Sequence, residues 1–358
     1  MKSASLGTRD PRNAPVTVER EAFLMGTALR IEVVAETRAS GLEAIEKAFR
    51  EVEDWESLLS SWRSDSRLSA LNHAPPARWT VLPARLLKVL DEVRGWSVLT
   101  QGAVDPTVGP LIDVWGLRGS GRRPTPAEVS GALATSGFRC FELDLSGHRA
   151  RRRCPAGWID SGAFGKGAAL RDAGRALQHA GVGRAVLNFG GQLLFLGPAR
   201  SSRTVLVADP SRRHRALVRL RVPPASVATT SQAVRGVEVG GGWIGHVLDP
   251  RTGRPVPAWG SVTVLSSDPL IADVLSTALF VLGPDDGLEW ARSQGVAALF
   301  LVARAEGIAV CPVGLPSAVE PVEPEATGSG DGRGSGHLLE CHRNGSQAEA
   351  ANDGRRAS

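Results

Sequence analysis

The stretch Trp158–Gly174, WIDSGAFGKGAALRDAG, constrains this chain more than any other. It reads as a short strand ending in Asp160, a turn of small residues (Ser161, Gly162, Ala163, Gly165), then Lys166 and a helix from about Gly167. Small residues let backbone approach a ligand closely, and the first N–H groups of a helix are unpaired donors that favour anions. A lysine there adds a movable positive charge, which suits phosphate. The competing reading is an ordinary strand-to-helix connection with a solvated lysine. A P-loop is excluded, because the G-x-x-x-x-G-K-[ST] spacing is missing and Gly167 stands where Ser or Thr should follow the lysine.

A length of 358 residues allows one large domain or two ordinary ones. The net charge is +5, but the arginines are scattered and no basic run is interleaved with aromatics. That speaks against a nucleic-acid partner and leaves room for a phosphorylated ligand. Cys140, Cys154, Cys311 and Cys341 show no C-x-x-C pairing. Neither a zinc site nor a disulfide scaffold is indicated, and buried or incidental thiols in a reducing compartment are expected. The N-terminus has no apolar h-region, and no later segment supplies the roughly 18 apolar residues of a membrane span. These features predict a soluble, unexported, cytoplasmic protein. Residues 1–19 read as a flexible lead-in, 20–312 as the folded domain, and 313–358 as a disordered low-complexity tail. His337, Cys341 and His342 lie in that tail, where ordering an unfolded ligand set argues against a metal site.

Along the folded part, alternation predicts a strand over Ala28–Val34 after a turn at Met25-Gly26-Thr27. Leu42, Ile45, Phe49, Val52 and Trp55 recur at helical steps, giving an amphipathic helix from about Gly41 to Leu59. A second helix covers about Pro83–Thr100, and Gly102–Gly116 reads as a helix-to-helix loop in which Gly109-Pro110 breaks any early helix. Thr125-Pro126-Ala127-Glu128 has capping-box spacing. Arg184–Phe189, Gln192–Gly197, Thr204–Ala208 and Ala216–Val222 read as strands too closely spaced for crossover helices, hence antiparallel. Val227–Ser231 and Trp243–Leu248 are expected to frame a further hairpin. A strand at Val262–Leu265, a helix to Val281, a helix near Gly287–Gln294 and a strand at Ala297–Ala303 close the domain.

Asp273 and Thr277 stand four apart on the helix before Val281, so they share a face next to a buried stripe. A carboxylate there needs a cation or strong donors. Magnesium fits a carboxylate, a hydroxyl, a carbonyl and substrate phosphates; a surface-facing Asp with Thr bonding back to the helix is the alternative. His246 precedes the turn sequence Asp249-Pro250-Arg251-Thr252-Gly253. At a cleft it can serve as general base, and otherwise it is a satisfied structural histidine.

Taken in order, MGT at 25–27, S-x-L-S-x-L-N at 66–72, VDPTVGPLIDVWG at 104–116, IDSGAFGKG at 159–167, NFGG at 188–191, HVLDPRTGRPV at 246–256 and ADVLSTALFVLG at 272–283 resemble the ApbE family of FAD:protein FMN transferases. The resemblance spans about residues 20–310. It implies an α+β, two-lobed fold with largely antiparallel sheets and flanking helices, holding FAD as substrate with Mg2+ at its pyrophosphate. It also implies metal ligation by Asp273, Thr277 and the carbonyl of Ala163, and FAD contact by Met25, Trp62 (where Tyr or Phe is usual), Val104, Asp105, Pro106, Asp160, Lys166 and Val247. The implied reaction links FMN through a phosphoester to a Thr or Ser of a target protein and releases AMP; on the chemistry of the residues themselves, His246 is the candidate to accept the attacking hydroxyl's proton. An FAD pyrophosphohydrolase and a catalytically weakened FAD-binding homologue are the alternatives. The chain departs from the family pattern at Arg171, where an acid is usual, at Gln192 after Gly190-Gly191, and at Ser231, where glycine is typical; the family's usual export signal is also missing.

Overall fold

The computed structural model describes residues 14–60, 65–232, 236–322 and 338–340. Its first element is a hairpin: Val16–Leu24 pairs antiparallel with Thr27–Ala35 from Val16↔Ala35 to Leu24↔Thr27. The two connecting residues, Met25 and Gly26, take φ of 48° and 76°, the left-handed pair that joins twisted strands by a two-residue turn. Val16–Glu19, expected in the flexible lead-in, are therefore strand.

The hairpin begins a sheet that runs, edge to edge, through Val16–Leu24, Thr27–Ala35, Arg184–Phe189, Gln192–Leu196 and Ser226–Ser231. It continues through Gly260–Ser266, Ala297–Arg304, Gly307–Val313 and Leu338–Glu340. Every pairing within it is antiparallel except the last, where Ile308↔Leu338 begins a parallel match. Side chains alternate across this sheet and divide the core in two. Val262, Val264, Phe300 and Val302 face the helices, whereas Leu265, Leu299 and Leu301 face a smaller sheet. That smaller sheet is formed by Arg203–Asp209, Arg212–Val222 and Val319–Pro321. Val319–Pro321, expected in the tail, pair with Leu220, Arg219 and Val218. The expected hairpin between Val227–Ser231 and Trp243–Leu248 does not form. Ser226–Ser231 pairs with Gly260–Ser266 and Gln192–Leu196, and Gly242–Gly245 pairs with Gly236–Val239, because long-range partners in the central sheet outcompete the sequence neighbour.

Helices among the described residues are α1 (Arg38–Leu59), α2 (Arg67–His73), α3 (Ala84–Leu99), α4 (Gly109–Trp115), α5 (Pro126–Ala134), α6 (Gly165–His179), α7 (Pro269–Leu282) and α8 (Pro284–Ser293). The sequence reading missed α4: Pro110 sits in its first turn, where the absent N–H is no loss, instead of breaking it. Capping boxes start α1 at Thr37 and α5 at Thr125. α7 packs on the central strands Ser226–Ser231 and Gly260–Ser266, α6 packs on α7, and α1 on α6.

Arg171 explains part of this stacking. Its guanidinium gives Nη1 and Nη2 to Glu92 of α3, each at 2.8 Å, and Nε to Asp268, the N-cap of α7, at 2.8 Å. Its neighbour Asp172 accepts the indole N–H of Trp55 at 2.9 Å, so the acid one position later serves α1. Gln192 is buried and donates to the carbonyl of Pro269 at 2.9 Å, fastening its strand to the start of α7.

The cysteine expectation is corrected. The strands Phe141–Asp144 and Arg149–Arg152 pair from Phe141↔Arg152 to Asp144↔Arg149, which places the flanking Cys140 and Cys154 side by side in a disulfide, Cα atoms 5.0 Å apart. Cys311 is disulfide-bonded as well. A bridge 14 residues apart in sequence has no motif to announce it; the hairpin register makes it.

Two measurements test these ties. Arg171→Met, which leaves Glu92 and Asp268 unpaired, is expected to lower the unfolding free energy in urea by about 2 kcal/mol, below the full buried-pair penalty because both acids are partly exposed. Replacing Cys140 and Cys154 together with serine is expected to cost about 3 kcal/mol, the scale for a loop of this size, and to remove one reduction-dependent alkylation pair by mass spectrometry.

Candidate active site

α6 and α7 cross with almost no gap at Gly167. A Cβ on that residue would lie 2.5 Å from the carbonyl oxygen of Pro269 and 2.8 Å from the Cβ of Asp273. Only glycine allows this approach. Its product is a short contact: the Gly167 N–H donates to Asp273 Oδ2 at 2.9 Å, and Lys166 Nζ reaches Asp273 Oδ1 at 3.1 Å. The first turn of α6 thus has an anion at its N-terminus, as its dipole favours. The anion is a side chain of the chain itself rather than a phosphate docked on open amides. Asp273 is 5% exposed, and these two donors answer the cost of burying its charge. Thr277, one turn on, makes only a long 3.4 Å contact back to the Asp273 carbonyl.

This contact lies in the wall of a cavity of about 620 Å3, within the range of small-molecule sites. Ala163, Lys166, Asp273 and Thr277 line it together with Val104, Asp105, Pro106, Asp160, His246 and Val247. The structure thus gathers, from the four separate segments 104–106, 160–166, 246–247 and 273–277, all but two of the residues that the sequence singled out. Met25 is one exception and does not line the cavity. Its N–H is held by Glu56 Oε1 at 2.9 Å, and its side chain lies behind the turn, where a Cβ on Gly165 would meet it at 3.3 Å. Trp62 is the other and lies outside the described residues.

Several of these side chains are already engaged. Asp160 accepts the Gly162 N–H at 2.8 Å and pairs with Arg118 at 2.9 Å, while Arg118 stacks over Trp158 at 4.1 Å. Asp105 accepts both the amide and the hydroxyl of Thr107, at 2.8 and 2.6 Å. Burial still pushes its carboxyl above the usual aspartate range, and those hydrogen bonds only partly oppose the rise. These bonds close a local turn over 105–107 while Asp105 still lines the cavity. Val247 has its N–H and its C=O both bonded within the protein, so it offers a ligand only its side chain. His246 is exposed, in the bend between the strands Gly242–Gly245 and Leu248–Asp249. The turn that follows is self-contained: Arg251 pairs with Asp249, and the Gly253 N–H returns to the Asp249 carbonyl at 2.8 Å. Trp115 of α4 fastens it by donating to the Gly253 carbonyl at 2.7 Å.

The opposite wall was not anticipated. Val205–Pro210 and Arg213 of the smaller sheet, Gly190 and Gly191, Thr229–Ser231 and Ser261 also line the cavity. Arg171 and Gln192 do not, whereas Ser231 does. The glycine pair stood in the motif at 188–191 and Ser231 among the departures from the family pattern, but the strands over 205–213 carry no sequence signal beyond alternation.

Asp273, Thr277 and Ala163 line this cavity together and offer a carboxylate, a hydroxyl and a backbone carbonyl. That oxygen set suits a hard cation completed by ligand phosphates, and among the described residues no group of three or more His, Cys, Asp or Glu is placed to hold a metal ion. The residues present therefore fit magnesium.

The α+β architecture built on this sheet is shared with solved flavin transferases. ApbE of Thermotoga maritima superposes with a TM-score of 0.76 at 27% identity, covering 83% of this chain and 97% of that one. The flavin transferase ApbE of Vibrio cholerae gives 0.69 at 25% identity, over 84% and 97%. The FAD:protein FMN transferase of Salmonella typhimurium is 32% identical over 307 residues, 82% of this chain and 87% of the relative. Residues 25–300 match the pattern of the ApbE family, and the chain belongs to that family.

Gly167→Ala tests the close approach. Overpacking α6 against α7 is expected to destabilise the protein by about 1–3 kcal/mol in chemical denaturation and to separate Lys166 from Asp273, seen as a lengthened contact in a crystal structure of the variant.

Proposed function

We propose that this chain is a magnesium-dependent FAD:protein FMN transferase. The observation that carries the reading is the meeting of Lys166, Asp273, Thr277 and Ala163 in one cleft that His246 also lines, in a chain 32% identical to the Salmonella typhimurium FAD:protein FMN transferase. A Thr or Ser hydroxyl of a target protein attacks the FMN-side phosphorus of FAD. The new O–P bond forms as the bond to the AMP-side oxygen breaks, AMP leaves, and the flavin ends as a phosphoester on the target. His246 accepts the proton of the attacking hydroxyl, a role its exposure to an incoming chain permits. Lys166 has a movable ammonium at the cleft wall, placed to exchange part of its contact with Asp273 for pyrophosphate oxygens. Asp273, Thr277 and the Ala163 carbonyl would hold the magnesium, which neutralises charge on the pyrophosphate. Val104, Pro106 and Val247 offer apolar surface to the flat parts of the ligand.

No helix among the described residues is long and apolar enough to cross a membrane. The bridged Cys140–Cys154 favours an oxidising compartment over the cytoplasm.

Incubation with FAD, magnesium chloride and a purified acceptor of the Vibrio cholerae transferase is expected to yield a fluorescent protein band and one AMP per label. Free FMN with AMP and no labelled protein would identify a hydrolase instead. Tight FAD binding without either product would identify a binding homologue. Asp273→Asn is expected to abolish metal-dependent turnover, and His246→Ala to slow transfer by about 100-fold or more while FAD still binds.

A further inference from the structure

We infer that Gln232 is the positioning residue of His246, holding the imidazole at the cleft through the residues on either side of it. Gln232 is 1% exposed. Its amide makes three hydrogen bonds to one loop: Nε2 donates to the carbonyls of Val247 and Val256, both at 2.8 Å, and Oε1 accepts the Val247 N–H at 2.9 Å. On the other side of the histidine, Gly245 lies flat on the same amide, and a Cβ there would come within 2.0 Å of Gln232 Cδ. Further back, the Trp243 indole donates to the Gln232 carbonyl at 3.3 Å. His246, an exposed residue, therefore sits between Gly245, packed on this side chain, and Val247, hydrogen-bonded to it.

The arrangement has a physical reason. Strand Gly242–Gly245 ends at 245 and Leu248–Asp249 begins at 248, so His246 lies between two strands, and on its far side a backbone bond from the Val256 N–H to the Val247 carbonyl at 2.9 Å extends the 248–255 pairing by one step. The buried Gln232 amide reinforces that contact from the side, bonding both Val247 and Val256 at the base of the 248–255 turn. Its orientation is unambiguous, because a flipped amide would set its oxygen against two carbonyls. An apolar side chain of similar size would fill the space but leave the Val247 N–H without a partner.

The inference rests on the reading of His246 as the base, and a double-mutant cycle separates the two. Gln232→Leu, His246→Ala and the double variant are compared with the wild type for FMN transfer from FAD to the Vibrio cholerae acceptor in magnesium chloride, and for FAD affinity by flavin fluorescence. Gln232→Leu alone is expected to lower kcat on the order of 100-fold, the scale of a catalytic group misplaced by about 1 Å, with FAD affinity retained. In the His246→Ala background it is expected to cause no further loss. An equal loss in both backgrounds, or a loss of FAD affinity in step with kcat, overturns the inference and leaves the base assignment standing. An undiminished rate in His246→Ala alone overturns both. Gln232→Glu gives a readout that does not depend on Leu folding correctly: the protonated acid still donates one hydrogen bond, whereas the carboxylate faces two carbonyls. Its transfer rate is expected to fall as pH rises through the titration of that glutamate, and a pH profile parallel to the wild type would count against the role.

Discussion

One buried carboxylate organises this protein. Asp273 projects from α7 into the first turn of α6 and takes a backbone amide with one oxygen and an ammonium with the other. In water such contacts contribute little, but at 5% exposure the alternative is an uncompensated charge, so α6 and α7 must stay in register. The absence of a side chain at Gly167 makes the contact possible. Arg171, one helical turn further along α6, repeats the logic with opposite sign by binding an acid on α3 and the N-cap acid of α7. The two pairs fix the slide and the roll of the helices, and with them the direction in which the cleft opens.

The sheet supplies the rest. Because its strands alternate, one set of side chains packs under α6 and α7 and the other packs under the smaller sheet. The cavity lies where residues from both sides of that division meet, with Lys166 and Asp273 from the helical side and the 205–213 hairpin from the other. A ligand bound there would touch two structural layers that share only the central strands between them.

Much of this was legible in the chain itself. The small-residue turn before Lys166, the i, i+4 pair Asp273–Thr277 and the histidine ahead of a self-contained turn are local patterns, and local patterns survive folding because they are made by neighbours. The elements that escaped depend on distant partners. Val16–Leu24 and Gly307–Val313 are strands because a waiting edge accepts them, not because their own alternation demands it. Pro110 was misjudged because its position within a helix, not its presence, decides whether it breaks one. Gln232 gave no signal: an amide at the end of a strand looks like any polar residue until the loop it holds is known. Arg171, which departs from the family pattern, lies away from the cavity and takes up a bracing role between helices.

The bridge between Cys140 and Cys154 ends four residues before Trp158, where the chain turns toward Asp160 and the helix start. Closing the 140–154 loop removes conformational freedom from the unfolded chain immediately ahead of the segment that leads to the helix start. Chains folding with and without this bridge would therefore begin their search for the native cleft from differently constrained ensembles.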